Sequence, residues 1–136
     1  MMAKQIFVNL PVKELDKTKT FFTQLGYTFN EQFTDEKAAC MVIDEHIFAM
    51  LITEEYFKTF TNKPVADAKK GTEVIIALSS DSREQVDELI NKAIKAGGTC
   101  PMPAQDHGWM YGRAFTDIDG HMWETIWMDP NGPGEA

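Results

Sequence analysis

The same order of elements occurs twice in this chain, and a repeat on that scale settles the architecture before any single residue does. Ile6-Phe7-Val8-Asn9-Leu10 and Thr72–Leu78 read as short apolar strands, each running straight into an amphipathic helix. The first helix is expected to begin near Pro11 and carries Leu15, Thr18, Phe21, Phe22 and Leu25 at three- and four-residue spacing. The second, with Ser80 or Asp81 as N-cap, sets Val86, Leu89, Ile90, Ala93 and Ile94 on one stripe. Each helix stops at a glycine, Gly26 or Gly97, where a left-handed C-cap is needed. Three strand-like runs follow each glycine. They are Tyr27–Phe33, Ala38–Ile43 and His46–Thr53 in the first half, and Gly98–Cys100, Met110–Thr116 and Met122–Trp127 in the second. Asp44-Glu45-His46-Ile47-Phe48 matches Asp119-Gly120-His121-Met122-Trp123 at an offset of 75 residues.

The expected fold class is therefore α+β: two βαβββ modules forming a curved mixed sheet around a cleft, with the helices outside. One such module cannot cover both faces of its sheet, so a ligand site is expected on the concave side. At 136 residues the chain suits a single domain. Module 1 is read over about 4–53, a linker with a short helix at Glu54–Phe60 over 54–71, module 2 over about 72–128, and a loose tail over 129–136.

Charge and apolar runs exclude several classes of partner. With 13 Lys and Arg against 21 Asp and Glu, the net charge of −8 repels a phosphate backbone, so no nucleic acid is expected. The longest apolar run, Ile47–Ile52, is too short to span a bilayer, and no membrane is expected. Met1–Gln5 opens no apolar leader, and Cys40 and Cys100 lack a metal or redox spacing. A cytoplasmic protein with two buried thiols is expected. Ser79, Ser80 and Ser82 form no nucleophile elbow, and Gly97-Gly98 ends a helix where a phosphate loop would open one.

Three segments carry a family resemblance: Phe7-Val8-Asn9-Leu10-Pro11-Val12, the helix end Phe21-Phe22-x-x-Leu25-Gly26, and Phe115-Thr116-Asp117-Ile118-Asp119-Gly120-His121. Taken in order over Ile6 to Trp127, they resemble the vicinal oxygen chelate superfamily of glyoxalase I, extradiol dioxygenases, and bleomycin and fosfomycin resistance proteins. They look most like its glyoxalase-related branch, the lactoylglutathione lyase-like proteins. The resemblance implies metal ligands from the first strand of each half, at Phe7 and Ile75 here, and a Glu from each final strand. Glu124 holds the second of these. Its first-half mate is Ala49 by the offset of 75, or Met50 if the register slips by one. One carboxylate cannot hold a divalent ion that needs three or four N/O ligands, so no metal and no cofactor is expected. The resemblance also implies a homodimer, because pairing of βαβββ modules completes the family's cleft.

Glu124, in the otherwise apolar Met122–Trp127, is the candidate catalytic carboxylate; alternatively it pairs with a neighbour such as Arg113. Period-two alternation puts Trp109, Tyr111, Arg113 and Phe115 on one face, a grip for an anionic or planar ligand or an ion pair within the fold. His107 stands in a Gly-containing connection that can bend over the cleft, while His46 and His121 read as exposed turn residues. With Met50 and Phe7, these residues make up the expected ligand-binding set: Trp109, Tyr111, Arg113, His107, Met50 and Phe7. The leading function is a metal-independent small-molecule binder. The alternatives are a glyoxalase-like metal-dependent lyase or isomerase with Glu124 as base, and an interaction module without a ligand.

Overall fold

A computed structural model describes residues 2–134, so the last two residues of the expected tail lie outside the described residues. The chain divides after Ala66 into two compact units. The first contains β1 (Ile6–Val12), α1 (Leu15–Gln24), β2 (Thr28–Phe29), β3 (Ala38–Asp44), β4 (Ile47–Thr53) and a short α2 (Glu54–Phe57). The second contains β5 (Ile75–Ser79), α3 (Arg83–Lys95), β6 (Gln105–Asp106), β7 (Met110–Thr116) and β8 (Met122–Met128). This is an α+β fold of two βαβββ modules. Each has its own four-stranded mixed sheet, ordered β1-β4-β3-β2 in the first and β5-β8-β7-β6 in the second. In both, the first strand runs parallel to the last and the other pairs are antiparallel.

Each helix forms where its apolar stripe has a sheet face to cover. In α1, Leu15, Thr18, Phe21 and Phe22 are all buried, as is Leu25 just beyond it. They meet the face of the first sheet that carries Leu10, Val12, Met41, Ala49 and Leu51, all buried. Full burial of each large side chain contributes about 1.5–3 kcal/mol. α3 does the same with Val86, Ile90 and Ala93, over Phe115, Trp123 and Thr125. Gly26 (φ 104°) and Gly97 (φ 110°) then end the helices in one shared motif. The amide of Gly26 donates to Thr23 O and that of Tyr27 to Phe22 O; Gly97 and Gly98 donate likewise to Ile94 O and Ala93 O.

Several boundaries differ from the sequence reading, each for a local reason. Pro11 does not start a helix. It belongs to β1, an edge strand that pairs only with β4 within its sheet, where a residue without an N–H is tolerated. The N-cap of α3 is Ser82: its Oγ accepts from Gln85 N while Gln85 Oε1 accepts from Asp81 N, a reciprocal cap that Ser80 is too far back to make. Tyr27–Phe33 is strand only at Thr28–Phe29, because the Asn30 side chain accepts from Gln32 N and starts a 3-10 turn over Glu31–Phe33. The strand expected at Gly98–Cys100 is reduced to a single bridge, Thr99 to Thr116, and β6 forms further on. Finally, the register slips between Val42 and Asp44. The parallel ladders pair Phe7 with Phe48 and Ile75 with Met122, so two residues further on Met50, not Ala49, is the mate of Glu124.

An aromatic cup and an isolated carboxylate as the candidate functional site

The pleat sorts each sheet into a helix-covered face and an open face. On the first sheet, Ala49 points under α1 and is fully buried, whereas Phe7, Asn9, Met50 and Ile52 stand on the open face. Asn9 pairs with Met50 and Phe7 with Phe48, whose rings stack with centroids 4.9 Å apart. Elements outside the sheet raise walls around this floor. On one side, Tyr56 of α2 and Phe60 just after it pack edge to face at 4.9 Å. On the other stands the turn Gln32-Phe33-Thr34-Asp35. The result is a cup of about 560 Å³, within the usual size of a small-molecule site.

The second wall is held by its own backbone. Thr34 Oγ1 donates to Asn30 O at 2.8 Å and accepts from Cys40 N at 3.0 Å. Asp35 Oδ1 accepts from Lys37 N at 2.8 Å and Ala38 N at 3.0 Å, and these two amides hold the carboxyl below the usual aspartate range. Cys40 is buried, and burial pushes its thiol up.

On the second sheet, Glu124 lies on the open face, in register with Ala77 on one side and Ala114 on the other. It is half-buried, and among the described residues no hydrogen bond or ion pair holds its carboxylate. Arg113 is not its partner. Arg113 and Tyr111 project to the opposite, helix-covered face and converge on Asp87 of α3, with Tyr111 OH donating at 2.6 Å and Arg113 Nη1 at 3.0 Å. The Tyr111 hydroxyl, ahead of the guanidinium, lowers the Asp87 pKa. Arg113 Nη2 also reaches Cys100 Sγ, 3.6 Å away; Cys100 is half-buried, short of the burial expected for it.

His107 and Trp109 lie in the connection before β7. His107 is exposed and its amide donates to Met110 O, while Trp109 O accepts from Asp129 N. Arg83 locks this connection to α3. It pairs with both Asp106 oxygens at 2.8 Å, donates to Gly108 O at 3.0 Å, and lies over the rings of Tyr111 and Trp127 at 5.0 and 5.2 Å. Of the residues singled out from sequence, Phe7 and Met50 are thus brought together in the cup, and Tyr111 joins Arg113 around Asp87. Glu124 belongs to the second unit, on the sheet face opposite Tyr111 and Arg113.

His121 is buried, contrary to the exposed turn expected of it. It belongs to a cluster around Asp117, whose Oδ1 accepts from Asp119 N and His121 N and whose Oδ2 accepts from Trp123 Nε1 at 3.0 Å. His121 Nδ1 lies 3.0 Å from the same Oδ2. Burial pushes the imidazole pKa down, but the hydrogen bond and charge of Asp117, with the charge of Asp119, outweigh it and the net shift is upward. The Asp-x-Asp-Gly-His run is therefore a fold-holding turn.

Sequence reasoning missed Phe33, Tyr56 and Phe60. Their one signal was a set of large aromatic residues in polar connecting segments, where a core has no use for them.

Two βαβββ modules, an aromatic cup on one and a lone carboxylate on the other, define a class of small α+β scaffolds. Residues 4–125 match the model of the Glyoxalase/Bleomycin resistance protein/Dioxygenase superfamily, and the chain belongs to that family. Among solved structures it is similar to the hypothetical protein SA1046 from S. aureus, with 28% identity, a TM-score of 0.79, and coverage of 93% of this chain and 95% of that one. It shares its fold with FosX, a genomically encoded fosfomycin resistance protein from Listeria monocytogenes (19% identity, TM-score 0.70, 98% and 100% covered). A glyoxalase/bleomycin resistance protein/dioxygenase family enzyme from Burkholderia phytofirmans also shares it (16%, TM-score 0.74, 90% and 96%). No curated protein matches the chain.

The metal that the resemblance implies does not fit these residues. Phe7 and Ile75 offer no donor atom and Met50 only a soft thioether, which leaves Glu124 as the single oxygen donor of the four positions. Among the described residues, no three His, Cys, Asp or Glu side chains come together to hold an ion.

Proposed function

We propose that this protein is a small-molecule binder of the glyoxalase/bleomycin resistance/dioxygenase superfamily, and that its ligand occupies the cup on the first sheet without a resident metal. One observation carries the reading: Phe7 and Met50, at positions where the resemblance implies metal ligands, instead floor a cup of about 560 Å³ walled by aromatic rings. Apolar floors with a few placed polar groups, here Asn9 and Gln32, are what such sites offer. On the second sheet Glu124 is the candidate catalytic carboxylate, while Asp35 is the carboxylate that lines the cup itself. Among the described residues no helix is long and apolar enough to cross a membrane. A cytoplasmic site of action, where Cys40 and Cys100 stay reduced, completes the reading.

A thermal-shift screen against metabolites and antibiotics tests it. A true ligand at a hundred times its Kd adds about 2.7 kcal/mol of stability. That gain should vanish when Met50→Arg puts a bulky cation into the floor of the cup. A ligand whose effect survives Met50→Arg binds elsewhere and overturns the reading.

A further inference from the structure

The walls of the cup define the charge of what it takes. Four of the chain's exposed large apolar side chains converge on it: Phe33 (61% exposed), Phe60 (58%), Phe7 (50%) and Tyr56 (37%). Scattered exposed aromatics need no explanation, but four turned into one concavity do. Their ring faces carry negative electrostatic potential, and three of the four are braced in pairs, Phe7 on Phe48 and Tyr56 against Phe60. The polar lining contains Asn9, Gln32, Thr34 and the carboxylate of Asp35, and no Lys, Arg or His lines the cup among the described residues. An anion would meet a carboxylate and π faces with no positive charge in the lining to hold it. Resting on the reading above, we propose that the cup binds an organic cation of the alkylammonium class, caged by Phe7, Phe33, Tyr56 and Phe60 with Asp35 as counter-charge.

Two further observations support this. Lys37 Nζ sits 5.6 Å from the centroid of the Tyr56 ring, so one of these rings already attracts an ammonium from within the chain. The net charge of −8 also raises the local concentration of cations around the protein. Lys37 stands outside the lining and acts as a rival charge, so its removal should strengthen binding.

The test titrates the full chain with choline and, separately, with its uncharged isostere 3,3-dimethylbutan-1-ol, following backbone amide NMR signals of residues 32–35 and 56–60. Choline should shift these signals saturably, with a Kd at least tenfold below that of the alcohol. Tyr56→Leu should weaken choline at least fivefold while the rest of the spectrum stays folded, and Lys37→Met should tighten it. Equal binding of choline and the alcohol would overturn the cation assignment and leave the small-molecule site standing. Absence of shifts with either compound would sink both. The same shifts on concentrating the protein alone would mean that a second copy fills the cup, and the proposal fails.

Discussion

Glu124 is a half-buried carboxylate whose in-register neighbours are both alanines, Ala77 and Ala114. A charge without a partner contributes little to folding, so Glu124→Gln should change the unfolding free energy by no more than about 0.5 kcal/mol. Chemical denaturation measures this, and a loss of 3 kcal/mol or more would reveal a structural partner. Arg113→Met should cost about 1 kcal/mol, because its pair with Asp87 is largely solvent-exposed on the Asp87 side and discounted accordingly. The two effects should add, since the side chains lie on opposite faces.

His121 gives stability a pH dependence of fixed sign. Its folded-state pKa is raised above 6.5, so the protonated ring is favoured by folding. That contribution is fully present below about pH 6.5 and is lost as pH rises through the folded value. Unfolding free energies taken from pH 6 to pH 9 should therefore fall with a component that His121→Gln removes. An NMR titration placing the imidazole below 6.5 would contradict this.

At the level of elements, two glycines in left-handed conformations separate conformational cost from steric cost. Gly26 ends α1 with open space where a Cβ would go, so Gly26→Ala should cost only the left-handed penalty, about 1–2 kcal/mol. Gly120 (φ 93°) turns the chain between β7 and β8, and a Cβ there would lie 2.9 Å from Lys69 N and 3.0 Å from Ala68 C. Backbone cannot step aside as a flexible side chain can. Gly120→Ala should cost more than Gly26→Ala, and equal losses in denaturant midpoint would show that the segment at Ala68–Lys69 yields. The caps illustrate how elements end. Ser82 outcompetes Ser80 and Asp81 because it alone stands three residues before Gln85, whose amide donates to it while the Gln85 side chain accepts from Asp81 N.

For the whole molecule, the residues at the implied ligand positions decide the expected chemistry. The hemithioacetal of methylglyoxal and glutathione should not be isomerised detectably, with or without added Ni²⁺ or Zn²⁺. Metal-stimulated turnover in the usual enzyme range of about 1–10³ s⁻¹ would reverse that expectation. We further propose that two copies associate. Each module leaves apolar side chains bare outside the cup, Ile6 in the first and Val74, Ile75 and Met128 among those of the second. Light scattering at micromolar concentration should give twice the 15.4 kDa chain mass; the mass of a single chain would contradict it.

The stripe of α1, both glycine stops and the doubled βαβββ order are legible in the sequence, because each follows from spacing along a few consecutive residues. In α3 the buried stripe narrows to Val86, Ile90 and Ala93, with Ile94 exposed. The sequence also carried the family resemblance and marked Phe7, Met50 and Glu124. The tertiary structure decided which face each strand residue meets. Strand pairing made Met50, not Ala49, the mate of Glu124, because Phe7 pairs with Phe48 and Ile75 with Met122, and one residue of shift reverses every side chain on a strand. It also decided that Arg113 serves Asp87, 26 residues away, and that Phe33, Tyr56 and Phe60 wall a cup over Phe7. Contacts between residues far apart in the chain leave no periodic trace in it, and only folding brings them together.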